Sequence, residues 1–300
     1  MADVCTLCPR RCGAARPQNV AAGKLPGVCA SPLSPVVARA ALHFWEEPVI
    51  SGTRGAGAVF FCGCNLHCVY CQNHGISTGP AGKEITPERL REIYFELIGQ
   101  GAHNIDLVTP THFTEAILRS LAEPLPVPVV WNSNGYELPD SLRRLEGKVQ
   151  IYLPDLKYAD DRLAARYSGA EDYFERAKEA ILEMYRQTGP FRVGDDGVLR
   201  SGVVIRHLIL PGCLENSRRV IDFVAETFRP GEVLFSLMRQ YLPCGKVSPT
   251  SYRELDRRVT EEEYGEIERY LFDSPVEDGF VQEADSAEEG FIPVFDGTGV

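Results

Sequence analysis

The stretch that most constrains this chain is Cys64-Asn65-Leu66-His67-Cys68-Val69-Tyr70-Cys71, three thiols in one short loop. Thiolates are the usual ligands of iron–sulfur clusters, and four of them commonly hold a four-iron cube. A loop that supplies three leaves one iron open to a second molecule. The apolar run Ala58-Val59-Phe60-Phe61 precedes the loop and reads as a buried strand, and Gly63 permits a sharp turn before the first thiol. The thiols therefore leave the carboxyl end of a strand, the end where α/β folds carry their sites. Zinc offers an alternative, but its structural sites favour paired C-x2-C elements and four ligands.

Ten cysteines are many for a reducing compartment, and they are grouped. Cys5, Cys8, Cys12 and Cys29 form a second set, while Cys213 and Cys244 stand apart. Such grouping reads as metal binding rather than disulfides. Four thiols make a closed ligand count, suited to zinc or to a second iron–sulfur cluster. Residues 1–50 are Cys-, Pro- and Gly-rich with little periodicity, and metal is their evident means of folding. The net charge of −11, from 31 basic and 42 acidic residues, argues against a general nucleic-acid or anionic-membrane surface. No apolar run approaches the roughly 18 residues that span a bilayer. The start has no basic segment followed by an apolar one, so a cytoplasmic location is expected.

From residue 51 to about 273, strands and helices alternate. Short apolar runs at 59–61, 105–108, 127–131, 149–153, 203–210 and 233–237 predict six strands. Thr86-Pro87 predicts a helix start, and Leu90, Ile93, Tyr94 and Leu97 lie on one face of it. Helices are also expected over 114–121, 139–145, 160–167, 173–188 and 216–228. Thr260 with Glu263 predicts a capping box for a last helix. Six β–α units with apolar strands imply a parallel sheet covered by helices. Right-handed crossovers curl such a sheet into a barrel or part of one. Residues 274–300 form an acidic tail, either a mobile end or a strap.

The C-x3-C-x2-C loop, with Tyr70 before its last Cys, resembles the radical S-adenosylmethionine (SAM) superfamily. Phe60-Phe61-Cys62-Gly63-Cys64-Asn65-Leu66 and Cys71-Gln72-Asn73 resemble its branch of pyruvate formate-lyase activating enzymes. The resemblance implies an α/β partial (β/α)6 barrel. It implies that Cys64, Cys68 and Cys71 hold a [4Fe-4S] cluster whose open iron takes SAM. It also implies reductive cleavage of SAM to a 5′-deoxyadenosyl radical that abstracts hydrogen from a substrate. The branch suggests a glycyl residue of a partner protein as that substrate, with flavodoxin or ferredoxin as electron donor. The residues alone leave a small molecule, an RNA base or a peptide open, with nucleic acid the least favoured by the negative charge.

Polar residues at the expected strand ends should face the cluster loop. Asp155 and Lys157, two apart on an extended segment, point the same way and suit a zwitterion; a salt bridge that only positions the strands is the plainer alternative. Asp155-Leu156-Lys157 resembles a SAM-binding segment of the activating enzymes, and Arg206-His207 resembles their fifth-strand segment, of which alternation turns one residue inward. Asn132 and Asn134 are expected as further amide contacts for the cofactor, with turn chemistry at Asn134-Gly135 the plainer alternative. A Gly-Gly-Glu stretch common in the superfamily is replaced here by Thr109-Pro110-Thr111, so Thr109 would do part of its work; Pro110 has no N–H to offer. Two rivals remain at this stage. One is a non-catalytic iron–sulfur or zinc protein, an electron carrier or binding module, for which Cys62 would have to serve as a fourth ligand. The other, an enzyme with zinc-activated water, is disfavoured by six His without an H-x-E or H-x-x-x-H pair.

Overall fold

The computed structural model describes residues 4–20, 25–79, 81–282 and 293–300. The elements run β1 (Val36–His43), α1 (Pro48–Ser51), β2 (Ala56–Phe61), α2 (His74–Ser77), β3 (Lys83–Glu84), α3 (Pro87–Gly99), β4 (Ile105–Val108), α4 (Thr114–Ser120), β5 (Val129–Ser133), α5 (Pro139–Arg143) and β6 (Ile151–Pro154). They continue with α6 (Asp161–Ser168), α7 (Tyr173–Thr188), β7 (Arg192–Val193), β8 (Leu199–Leu208), α8 (Leu214–Thr227), β9 (Leu234–Met238), α9 (Glu261–Phe272) and β10 (Gly279–Val281). The sheet order is β10-β9-β8-β6-β5-β4-β2-β1-β3, with β7 paired to β8. Strands β2, β4, β5, β6, β8 and β9 are parallel, each to the next. The curl does not close, so the fold is an α/β partial barrel. All six expected strands are present.

Strand β1 was not legible. It carries Val-Val-Ala-Arg-Ala-Ala-Leu-His out of the Cys-rich segment and pairs antiparallel with β2. Its apolar character is masked in sequence by the proline and cysteine clusters before it. The sheet thus reaches into 1–50 through β1 and into 274–300 through β10. Residues 293–300 lie as a strap across β1: Ala40 N donates to Thr298 O and Gly297 N to Ala38 O. Phe295 of the strap meets Phe60 edge-on at 5.5 Å.

The helix ends follow the expected chemistry. Thr86 accepts from Arg89 N at the start of α3, and Thr260 with Glu263 forms a reciprocal capping box on α9. On α3, Leu90, Ile93, Tyr94 and Leu97 are buried against the sheet. Alternation along the strands sorts the other face into layers. Ala56, Val130, Ile151, Leu153, Val204 and Leu234 pack with Ile50 of α1 into one apolar cluster, which forms the barrel floor. Asp106, Asn132, Asp155 and Arg206, two residues further along, make a polar layer above it. The cluster loop lies above that. No described helix is long and apolar enough to cross a membrane.

Candidate functional site

Gly63, at φ +85°, turns the chain out of β2, and a Cβ there would lie 2.2 Å from Ser31 Oγ. Cys64, Cys68 and Cys71 all line one cavity of about 230 Å³ at the carboxyl ends of the strands. Cys64 and Cys68 each have a donor at the sulfur. Asn134 Nδ2 lies 3.4 Å and Leu66 N 3.3 Å from Cys64 Sγ. Ser168 Oγ donates to Cys68 Sγ at 3.0 Å, and the Ser77 hydroxyl acts to lower the Cys71 thiol. Tyr158 and Tyr70 continue the Ser168 chain at 2.8 and 2.7 Å. Burial pushes the Cys71 thiol up to about 12. Burial also raises Cys68, against the pull of Lys157. Ligation by metal releases such protons, and hydrogen bonds to the sulfurs then set a cluster's potential. Three thiols on one cavity wall, two of them with donors, fit a [4Fe-4S] cluster.

The other sulfurs near the loop turn away. Cys62 is buried with its thiol toward the backbone of Ala81 and Gly82, and Cys244 donates to Tyr70 O at 3.1 Å. Cys5, Cys8, Cys12 and Cys29 lie off the cavity. Among the described residues, no three Cys, His, Asp or Glu side chains are gathered around one ion position. A cube differs from a single ion here, because each thiolate binds its own iron.

Asp155, Lys157, Asn132, Thr109 and Arg206 line the same cavity. Lys157 Nζ lies 2.6 Å from Asp155 Oδ2, and Arg206 Nε lies 2.9 Å from Asp155 Oδ1. Burial acts to raise the Asp155 carboxyl, but Arg206 and Lys157 outweigh it and hold it below the usual carboxylate value. Thr109 has φ +58°, a strained conformation for a β-branched residue. His207 is absent from the cavity lining. It sits on the outer face of β8, its ring nitrogens 2.7 Å from Leu156 O and 2.9 Å from Ser217 Oγ. Alternation along β8 forces this: with Arg206 inward, its neighbour faces α8.

Sequence reasoning missed the carboxylates around Arg206. Its guanidinium also bonds Glu46 Oε2 at 2.8 Å and Asn132 Oδ1 at 2.7 Å, with Glu47 3.9 Å away. Asn132 reaches Asp106 Oδ2 and Glu46 Oε1, both at 3.3 Å. Burial, with Glu46 close by, pushes Asp106 well up, and burial raises Glu47 to about 7. One oxygen each of Asp106 and Glu47 has no hydrogen-bond partner. The available signal was Asp106 itself, an acid inside the apolar run Ile105–Val108.

Residues 58–212, just over half of the chain, match the family model of the radical SAM superfamily. This chain belongs to the radical SAM superfamily. An uncharacterized protein of Methanocaldococcus jannaschii is 30% identical over 241 residues, which cover 77% of this chain and 64% of that relative. The chain thus spans less than two thirds of the curated relative's length. Streptococcus suis SuiB bound to S-adenosylmethionine is 13% identical with a TM-score of 0.50, over 74% of this chain and 49% of that one; the likeness is one of fold. A domain of pyruvate-formate lyase-activating enzyme from Bacteroides vulgatus is 14% identical over 66% of this chain and 91% of that one. Its TM-score of 0.38 is too low to place the chain in that branch. Membership of the radical SAM superfamily implies a [4Fe-4S] cluster and SAM as cofactors.

Proposed function

We propose that this chain is a radical SAM enzyme in which Cys64, Cys68 and Cys71 ligate the [4Fe-4S] cluster and the Asp155–Lys157 pair receives SAM beside it. The observation that carries this reading is the shared cavity: three thiols on one wall, facing the half-buried Lys157–Asp155 pair. Bound there, cluster and SAM would supply a 5′-deoxyadenosyl radical that takes a hydrogen atom from the substrate. Lys157 would meet the carboxylate of SAM, and Asp155 its ammonium or ribose hydroxyls. Thr109 and Asn132 offer further polar contacts. Arg206 fixes Asp155 from below, so the carboxylate is presented as an anion. Phe60, Val108, Leu208 and Met238 give the cavity apolar walls, which exclude water from the reacting atoms.

The activating-enzyme-like assignment supplies the substrate in this proposal: a glycyl residue of a partner protein, oxidised by loss of a hydrogen atom. A flavodoxin or ferredoxin would donate the electron, in the cytoplasm. The same reading makes Cys5, Cys8, Cys12 and Cys29 ligands of a second metal, zinc or iron–sulfur. The test is anaerobic reconstitution with iron and sulfide, reduction, addition of SAM, and low-temperature EPR beside assay of 5′-deoxyadenosine. The expected result is a reduced-cluster signal that changes with SAM, with 5′-deoxyadenosine formed, and loss of both in Cys64→Ala, Cys68→Ala and Cys71→Ala. A four-iron signal indifferent to SAM, with no cleavage, would mean a fourth protein ligand and an electron carrier.

A further inference from the structure

A line of three buried hydroxyls ends on one thiol of the cluster loop. Ser168 Oγ lies 3.0 Å from Cys68 Sγ, Tyr158 Oη lies 2.8 Å from Ser168 Oγ, and Tyr70 Oη lies 2.7 Å from Tyr158 Oη. Ser168, Tyr158 and Tyr70 are each at most 5% exposed. Backbone bonds hold the line in place. Val69 N donates to Tyr167 O at 2.8 Å, which seats the cluster loop on the last turn of α6. Arg10 donates to the Ser168 carbonyl at 2.8 Å, and Gly169, in the left-handed conformation, ends the helix there.

The protons of this line have one order once Cys68 is a thiolate ligand, because a thiolate only accepts. Ser168 has a single hydroxyl proton, and it is spent on the sulfur. Ser168 Oγ must then accept from Tyr158. The single proton of Tyr158 is spent in turn, so Tyr158 accepts from Tyr70. All three O–H dipoles therefore point their positive ends toward Cys68. Hydrogen bonds in such a series strengthen one another by about 10–30% per bond.

Packing alone does not call for these hydroxyls. The Tyr158 ring meets Tyr173 edge-on at 5.3 Å, and the Tyr70 ring meets Tyr167 and Tyr241 at 6.4 and 5.9 Å. Phenylalanine would make the same ring contacts without burying an O–H, which costs free energy unless it is bonded. The neighbouring tyrosines aim their hydroxyls at backbone: Tyr173 at Asn134 O and Asp155 O, both 2.8 Å away, and Tyr241 at Leu255 O, also 2.8 Å away. Those of Tyr158 and Tyr70 are strung to a sulfur instead. Cys64 is served differently, by amide donors at 3.3 and 3.4 Å with no hydroxyl series behind them.

We infer that Tyr70, Tyr158 and Ser168 form a one-way hydroxyl series that acts through Cys68 to raise the reduction potential of the cluster at Cys64, Cys68 and Cys71. The inference rests on the ligand set proposed above. Hydrogen bonds to cluster sulfurs favour the state with more negative charge, which is the reduced one. One electron from the protein donor adds that charge, and the share of it on Cys68 strengthens the bond from Ser168 and, through it, the two bonds behind. No proton leaves its oxygen and no covalent bond changes. Ser168 and Tyr158 are absent from the cavity lining, so they are positioning residues that work on the sulfur and not on SAM or substrate.

The experiment is a reductive titration of the anaerobically reconstituted protein, following the EPR signal that Cys68→Ala removes. Ser168→Ala should lower the ratio of reduced to oxidised cluster at a fixed potential about tenfold, the scale of one hydrogen bond to a charged acceptor, which is a fall of about 59 mV in midpoint for one electron. Tyr158→Phe, which removes one oxygen and keeps the ring, should lower the ratio about twofold. The deciding variant is Ser168→Ala/Tyr158→Phe. With the series already cut at Ser168, its midpoint should equal that of Ser168→Ala; a further twofold fall would overturn the inference, because Tyr158 would then act without Ser168. An unchanged midpoint in Ser168→Ala overturns it too, and if that variant does not fold, an unchanged midpoint in Tyr158→Phe does the same. A SAM-responsive signal with no midpoint shift keeps the proposed function and removes the series, whereas the expected shifts in a signal indifferent to SAM keep the series and sink the function. A wild type with no signal for Cys68→Ala to remove overturns both.

Discussion

Arg206→Met tests whether one buried cation holds the polar layer together. The guanidinium contacts Asp155 at 2.9 Å and Glu46 at 2.8 Å, and its side chain is only 13% exposed. In its absence Asp155 keeps Lys157, but Glu46 keeps only an amide contact at 3.3 Å, and Glu47 already has an unpaired oxygen. Removing one partner of a buried ion pair costs about 3–5 kcal/mol, and that is the loss expected at pH 8. The loss should shrink on acidification, and the sign follows from proton binding. Glu47 is raised from 4.5 to about 7 by burial, against the pull of Arg206. The folded protein therefore binds a proton that the unfolded chain releases, and stability falls as pH rises through that window. Without Arg206 the carboxyls rise further and take up more protons in the folded state. For one extra proton the deficit shrinks by about 1.4 kcal/mol per pH unit. The assay is anaerobic urea unfolding of the reconstituted protein, followed by circular dichroism at pH 6 and pH 8. A loss below about 1 kcal/mol at pH 8, or an equal loss at both pH values, would refute the reasoning.

Two further changes probe the support around the site. Gly135 has φ +76°, and a Cβ there would lie 2.3 Å from Asp155 O; Gly135→Ala should displace Asp155 and weaken SAM binding roughly tenfold or more, the scale of one charged hydrogen bond, measured by equilibrium binding to the reconstituted protein. His207 is lowered to about 4 by burial, so it stays neutral in the fold while the unfolded chain protonates near 6.5; stability should fall as pH drops from about 6.5 to 4, and His207→Gln should flatten that slope in acid unfolding curves. A slope equal to the wild type's would show that other groups set the acid limit.

What was legible in sequence was local. The thiol spacing, Gly63, the caps at Thr86 and Thr260, and the span of α7 each depend on neighbours a few residues apart. The alternation rule also placed Asp155 and Lys157 on one wall, while for Arg206 and His207 it said that one faces inward but not which. The polar layer was not legible, because Glu46, Asp106, Asn132 and Arg206 meet only after the sheet has curled. Glu46 and Arg206 are 160 positions apart in the chain. Their separate segments look like an ordinary acidic loop and ordinary strands. The pairing of Asn65 with Asn134 was not legible either, because the two lie 69 positions apart and meet only in the fold.

An unclosed sheet has a consequence for the life of the protein in a crowded cell. A sheet with two margins offers two rows of unpaired backbone groups, the usual template for edge-to-edge aggregation. Among the described residues the outermost strands are β10 with three residues and β3 with two. Strands that short give an incoming chain too few hydrogen bonds in register to dock. Beyond β3 comes Pro87, and β10 begins at Gly279, at φ +156°, so neither margin extends as a regular ladder. The barrel can stay open on one side without becoming adhesive there.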